Sequence, residues 1–328
     1  MSKILFLNPP ASYGGPGTFQ TNIENFLKSK DIEILYQGTK ATPDLIFIIS
    51  ATRKLGLLIK YKLLGVKIIQ RLDGINWRHK IENTSLLFRL KCEIVNLIMA
   101  FIRKFLSDYV IYQSKYIENL WNEKYGKIDN CSIIYNGSQK KSSLSPKSKL
   151  YTITCVEGSI QEDELTENLI KNIGLLAKSN KNIDKVELYG FCSNKFINRF
   201  KNDKINFMGL IERDQIIDLY RNKRRIFFLL ELNPPCPNSL IEALINNTPA
   251  LGYDTGSFKE IVRNCGVVLP YNGNAYNLDF PNFNLLSEGA KKITDNYMIY
   301  AENCEKNINR FSLDNMNSQY FKIIKKYL

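Results

Sequence analysis

The chain has 328 residues, 44% of them hydrophobic, with 45 Lys and Arg against 32 Asp and Glu and a formal net charge of +13. That length and apolar content suit two domains with sizeable cores and exclude a disordered or fibrous chain. A single histidine, His79, excludes a metal site of several imidazoles and any His-relay hydrolase not built on it, while seven cysteines without a C-x-x-C pair suit buried thiols in a reducing cytoplasm better than a disulfide framework.

The basic excess is uneven. Residues 1–150 hold 23 Lys and Arg against 11 Asp and Glu, whereas the remainder holds 22 against 21. A positive field concentrates anionic partners such as a phosphate-bearing glycolipid, an anionic polysaccharide or a membrane surface. Solvated lysines in a Lys- and Asn-rich background are the plainer reading. No zinc-finger spacing, RNP-like aromatic strand or basic heptad points to nucleic acid. Residues 4–7 are too short for a signal-peptide core and run into Asn8, Pro9 and Pro10.

Residues 3–7 read as a strand, followed by a turn containing Gly14, Gly15 and Gly17 and a helix over 18–27 with Phe19, Ile23 and Phe26 at helical spacing. Glycines ahead of a helix start let the backbone approach a ligand, and free N–H groups with the helix dipole favour an anion there; a structural turn is the alternative. Strands follow at 32–36 and 44–49, then a basic helix over 53–64 that Gly65 ends, then a strand over 66–72. At that strand's carboxyl end, where ligands of such sheets sit, Asp73 offers an acceptor and Arg71 a fork that can meet a phosphate bidentately, unless Asp73-Gly74 is only a turn. Trp77 and Tyr13 are either an aromatic wall for a ligand or core. The apolar stretch 86–106 is interrupted by Arg89, Lys91, Glu93, Asn96, Arg103 and Lys104, so it is not a membrane span. It reads as a buried amphipathic helix or, more sharply, as an interfacial membrane helix. Strands at 109–113 and 131–135 flank a helix for which Ser114 is the expected cap, and Asn136-Gly137 favours a turn.

Residues 138–149, SQKKSSLSPKSK, lack apolar periodicity and read as a linker. A strand over 151–156 then ends in Glu157, Gly158 and Ser159, where backbone N–H groups suit an anion nest. Glu162, Asp163 and Glu164 are explained by the dipole of a helix's first turn. Strands follow at 186–190 and 205–209. Residues 226–230 are an apolar run fit for a strand buried on both faces, and Asn233, Pro234, Pro235 and Pro237 break the ladder after it. A helix over 238–246, a strand over 249–253, a short helix over 258–263 and a strand over 267–269 complete the segment, and 282–328 reads as helical. Strand, loop and helix in repetition predict a doubly wound α/β layer whose ligands sit at the carboxyl ends of strands, near Glu242 and Glu260.

PCPNSLIEAL followed by TPALGYDTGSFKEIV resembles the donor-binding segment of the GT-B glycosyltransferases of the group 1 type, the retaining enzymes of family four, and the likeness covers nearly the whole chain. The resemblance implies two Rossmann-like, doubly wound domains facing across a cleft in which a nucleotide sugar binds. Residues 1–140 would form the acceptor-side domain, 150–310 the nucleotide-sugar domain, and 311–328 a helix packing back on the first. It implies that Glu242 accepts bonds from both ribose hydroxyls, which suits two carboxylate oxygens facing a vicinal diol. Gly14, Gly15, Gly17, Arg71, Gly158, Ser159, Asn238 and Ser239 are the further nucleotide-sugar contacts, and Asp73 and Glu260 the groups at the reacting sugar. The sequence departs from the family at two places. Pro234 stands where a second Glu is common, with Glu231 out of register, and Glu157-Gly158-Ser159 stands where an Arg and a Lys commonly hold the diphosphate.

The function so implied is metal-independent hexosyl transfer, with retention, from a UDP- or GDP-sugar to a saccharide or lipid-linked acceptor in polysaccharide or glycan synthesis. No cofactor and no nucleic acid enter that reading. The place is the cytoplasm, with peripheral membrane contact through the basic N-terminal domain as the sharper version. The rivals are a non-catalytic sugar-nucleotide-binding protein of this fold and a nucleotide-sugar 2-epimerase, against which the single histidine argues.

Overall fold

The computed structural model describes residues 1–11, 14–140, 149–220 and 223–328. Tyr13 and most of the predicted linker, 141–148, lie outside the described residues. The chain forms two compact units, one of Met1–Asn136 with Asp314–Leu328 and one of Gly137–Leu313. Residues just after Asn136 join the second unit because Ser138 forms a parallel bridge with Ser312, its N–H donating to the Phe311 carbonyl at 2.9 Å.

Unit 1 runs β1 (Lys3–Phe6), α1 (Gly15–Lys28), β2 (Glu33–Tyr36), β3 (Leu45–Ile49), α2 (Leu55–Leu63), β4 (Lys67–Leu72), α3 (Leu86–Phe101), β5 (Tyr109–Tyr112), α4 (Lys115–Tyr125) and β6 (Cys131–Ile133). Its six strands form one parallel sheet in the order β2-β1-β3-β4-β5-β6. Runs such as Leu45, Ile46, Phe47 and Ile48 are buried on both faces, as parallel strands covered by helices require. A π-helical turn, Ile102–Leu106, continues α3 and packs with α2 against Leu5, Ile46, Ile48 and Ile68. Ser114 caps α4, accepting from the Ile117 N–H at 3.2 Å.

Unit 2 runs β7 (Tyr151–Ser159), α5 (Glu164–Ser179), β8 (Ile183–Phe191), α6 (Asn194–Phe200), β9 (Ile205–Gly209), α7 (Arg213–Leu219), β10 (Arg224–Phe228), α8 (Asn238–Ile245), β11 (Ala250–Tyr253), α9 (Phe258–Val262), β12 (Gly266–Leu269), α10 (Leu285–Asp295) and α11 (Tyr297–Phe311). Its parallel sheet has the order β12-β11-β10-β7-β8-β9. Of the acidic triplet, Asp163 caps α5, accepting from the Thr166 N–H at 2.8 Å, and Glu162 accepts from the Ser193 hydroxyl at 2.8 Å.

The last helix, α12 (Leu313–Tyr327), completes unit 1. Tyr320 stacks on Phe19 and Phe47 with ring centroids 4.9 and 6.0 Å away, so α1 and α12 cover the sheet face opposite α2 and α3.

Candidate functional site

In unit 2 the carboxyl ends of β7, β10 and β11 converge. Register pairs Thr154 of β7 with Phe227 of β10, which carries Glu157 alongside Leu230 and Glu231. One Glu157 carboxylate oxygen, Oε1, is buried without a partner. Burial first, and then the Glu231 carboxylate, push Glu157 up to about 8, against the pull of the Glu231 and Leu230 backbone. At neutral pH Glu157 is therefore mostly a neutral acid, with a proton to donate.

The loops after β10 and β11 are knit together. The Asn233 N–H donates to Thr255 Oγ1 of the second loop at 3.4 Å, and the Ser257 N–H donates back to the Pro234 carbonyl at 2.9 Å. Gly256, at φ +57°, lies so close that a Cβ there would stand 2.4 Å from the Pro234 nitrogen. Pro234, the departure from the family pattern, thus anchors the turn that carries the chain into α8.

Pro237 is the residue before α8, no side chain caps the helix, and its first turn holds no acid. The positive end of its dipole thus has no carboxylate in its own first turn, which holds Asn238 and Ser239. Glu242 follows one turn later, on the same face as Asn238. It is half-buried. Beside it the Tyr220 hydroxyl is buried with no hydrogen-bond partner, and burial first and the Glu242 charge second raise that phenol well above its ordinary pKa. Glu260 lies half-buried on α9, where its backbone carbonyl accepts from Arg310 Nη2 at 2.7 Å.

Deeper in the sheet, Arg225 Nη1 donates to Thr154 Oγ1 and Glu187 Oε2, both at 2.7 Å. Burial opposes ionisation of Glu187, but the charge and hydrogen bonds of Arg225 and Lys223 outweigh it and bring its pKa to about 2.

Gly158 and Ser159 do not form the expected nest. They close β7 as extended strand, Ser159 pairing with Phe191, and Gly158 has none of the positive φ that a nest needs. The Gly14–Gly17 turn is also tighter than expected. The helix begins at Gly15, only Gly14 (φ +90°) precedes it, and a Cβ on Gly17 would meet the Ala11 carbonyl oxygen at 2.2 Å. Gly17 is thus a packing requirement, and α1 presents an acid-free first turn.

Arg71 is the third correction. It is 2% exposed, its guanidinium lies 3.9 Å over the Phe19 ring, and Nη2 donates to Asn136 Oδ1 at 2.7 Å. The cation braces the interior of unit 1 and does not offer a phosphate an open fork. Asp73 sits at the end of β4, where burial raises its pKa and Arg71 and Ser50 lower it. Its backbone carbonyl accepts from Trp121 Nε1 at 2.9 Å. Trp77 is half-buried with Arg78 over its ring at 5.7 Å. His79 is tied to Glu93 at 2.9 Å, a structural pair.

Two groups that sequence reasoning did not single out lie at strand ends. One is the Glu157 proton site. The other is a cavity of about 60 Å³ at the carboxyl ends of β1 and β3, lined in part by Leu7, Asn8, Gln20, Phe47 and Thr52. Lys54 Nζ donates to the Leu7 carbonyl and to Asn8 Oδ1 at its rim, each at 3.1 Å, and Gln20 Nε2 donates to the Asn8 carbonyl at 2.7 Å.

Two doubly wound parallel sheets of six strands define the GT-B glycosyltransferase fold. Sucrose-phosphate synthase from Thermosynechococcus elongatus superposes with a TM-score of 0.74 at 12% identity, covering 99% of each chain. A glycosyltransferase from Rickettsia africae gives 0.70 at 16% identity over 99% of this chain and 98% of that one. HepE from Anabaena, solved with UDP and glucose, gives 0.67 at 15% identity over 99% of this chain and 100% of that one. At such identities these likenesses establish the fold alone. No curated protein matches the chain. Residues 144–311, half of the chain and almost all of unit 2, match the group 1 glycosyl transferases, and the chain belongs to that family. Its chemistry is accordingly that of a glycosyltransferase.

Proposed function

We propose that unit 2 binds a UDP- or GDP-sugar and that the enzyme transfers the sugar, with retention and without a metal, to a saccharide or lipid-linked acceptor in glycan or polysaccharide synthesis. The observation that carries the reading is the uncapped, acid-free start of α8 at the strand ends with Glu242 one turn behind it. That arrangement pairs a diphosphate at a helix N-terminus with a carboxylate for the ribose diol. Asn238 and Ser239 belong to the phosphate end, and Glu260 to the sugar. The HepE structures with UDP and with UDP-glucose favour uridine as the base.

In unit 1, Asp73 serves a sugar hydroxyl, and the start of α1 at Gly14 and Gly15 serves a phosphate, with Gly17 packing the turn against Ala11. The basic surface of the same unit suits an anionic acceptor. In the transfer the bond from the anomeric carbon to the diphosphate oxygen breaks and its electron pair leaves with the diphosphate. The acceptor oxygen bonds on the same face, and its proton passes to a diphosphate oxygen. No histidine base is needed.

Thermal-shift measurements with UDP-, GDP-, ADP- and TDP-sugars test the donor assignment, since a ligand that binds only the folded chain raises its midpoint. One nucleotide class is expected to stabilise the protein, and Glu242→Ala to weaken that binding by ~1–3 kcal/mol. Stabilisation by none of the four overturns the assignment. Stabilisation without release of nucleotide in the presence of saccharide acceptors would favour a binding protein, the reading that Pro234 and the absent Arg-Lys pair support.

A further inference from the structure

The helix α3 is apolar on two faces. Asn96, Met99, Ile102 and Leu106 point into unit 1 along α3 and its π-helical continuation. A second stripe, Leu86, Leu90, Ile94, Leu97, Phe101 and Phe105, recurs at steps of four and three and faces outward. Leu86 and Leu87 are 81% and 80% exposed, and Leu97 59%. The stripe runs for ~28 Å at the rise of an α-helix. On α2, which packs beside α3 on the same sheet face, Leu63 is 83% exposed, with Ile59 and Leu64 also outward. An apolar surface of that extent is uncommon on a soluble monomer.

Its surroundings are basic. Residues 55–106 carry ten Lys and Arg against three Asp and Glu. Lys60, Arg89, Lys91 and Lys104 are exposed. The carboxylate before α3 and the one within it are engaged, Glu82 by Arg78 at 2.6 Å and Glu93 by His79 and Lys80 at 2.9 and 3.1 Å. We propose that the outward face of α3, with the end of α2, docks unit 1 onto a bilayer surface containing anionic lipid.

A second copy of the chain is a poor occupant, because it would bring like charges face to face. An anionic bilayer meets both features at once, taking the leucines and phenylalanines to the acyl boundary while the Lys and Arg stems reach the headgroups. No helix among the described residues is long and apolar enough to cross a membrane, so the contact is one of lying on the surface. Docking through this face requires no sugar nucleotide, so the vesicle and thermal-shift experiments fail independently.

Co-sedimentation of the full chain with phosphatidylcholine vesicles, with and without phosphatidylglycerol, tests the proposal. The chain is expected to pellet with the anionic vesicles and to be released by salt. Leu90→Ser with Leu97→Ser should lower the partition at least ~10-fold through lost apolar burial, and Lys91→Gln with Lys104→Gln should lower it ~10-fold or more through lost headgroup attraction. All four side chains are exposed, so the thermal midpoint should be unchanged in both variants. Failure to pellet, equal pelleting with both vesicle types, or pelleting indifferent to both variants overturns it. So does concentration-dependent dimerisation in sedimentation velocity that the leucine pair abolishes without any vesicle binding, which would assign the face to a second copy.

Discussion

Glu157 and Glu187 lie on adjacent strands of one sheet, and their surroundings drive them in opposite directions. Glu187 meets Arg225 and Lys223 and falls to about 2, whereas Glu157 meets burial and Glu231 and rises to about 8. A carboxyl raised above its unfolded pKa of 4.5 stabilises the folded chain fully below that value, and this contribution is lost as pH rises through about 8. If the proposed donor places its diphosphate at this strand end, a neutral Glu157 would donate a hydrogen bond to it instead of repelling it. We predict that UDP affinity is flat from neutral pH to about 8 and then falls by up to ~10-fold per pH unit, and that Glu157→Gln abolishes this dependence. Isothermal titration across the range decides it, and an unchanged profile in the variant would remove Glu157 from the site.

At the scale of elements, the welded loops after β10 and β11 set where α8 begins. Gly256→Ala is expected to cost ~2 kcal/mol, because the new methyl meets Pro234 backbone and the residue keeps a left-handed φ; chemical denaturation measures it, and a cost near zero would show that the loops part easily. The strands and most helices were legible in the sequence because parallel strands buried on both faces leave unbroken apolar runs, as at residues 226–230, and because Pro237 and Ser114 mark helix starts. Helix α1 begins three residues before its predicted start, since Gly15, Pro16 and Gly17 look like loop until Gly17 is seen packed on the Ala11 carbonyl. The raised pKa of Glu157 was illegible for a different reason. It depends on strand pairing across some seventy residues, which no local spacing reveals. Arg71 misleads because a strand-end cation reads as a ligand group until its partner Asn136, far along the chain, is known.

At the scale of the molecule, the two units differ in how they are assembled from the chain. Unit 2 is continuous from Gly137 to Leu313, whereas unit 1 needs Asp314–Leu328 to finish its core. Tyr320 packs on Phe19 and Phe47, so until α12 arrives these two rings lack one of their aromatic partners. Nascent chains arrested at successive lengths and probed with protease should therefore show residues 137–313 becoming resistant before residues 1–136 do; early resistance of the first segment would refute this. During synthesis the segment made first must wait for α12, with its rings short of that partner for the whole time that the ribosome is making unit 2. The expected order of folding therefore departs from the usual N-terminal-first order of synthesis, and the first half of the chain is the half expected to depend more on a chaperone.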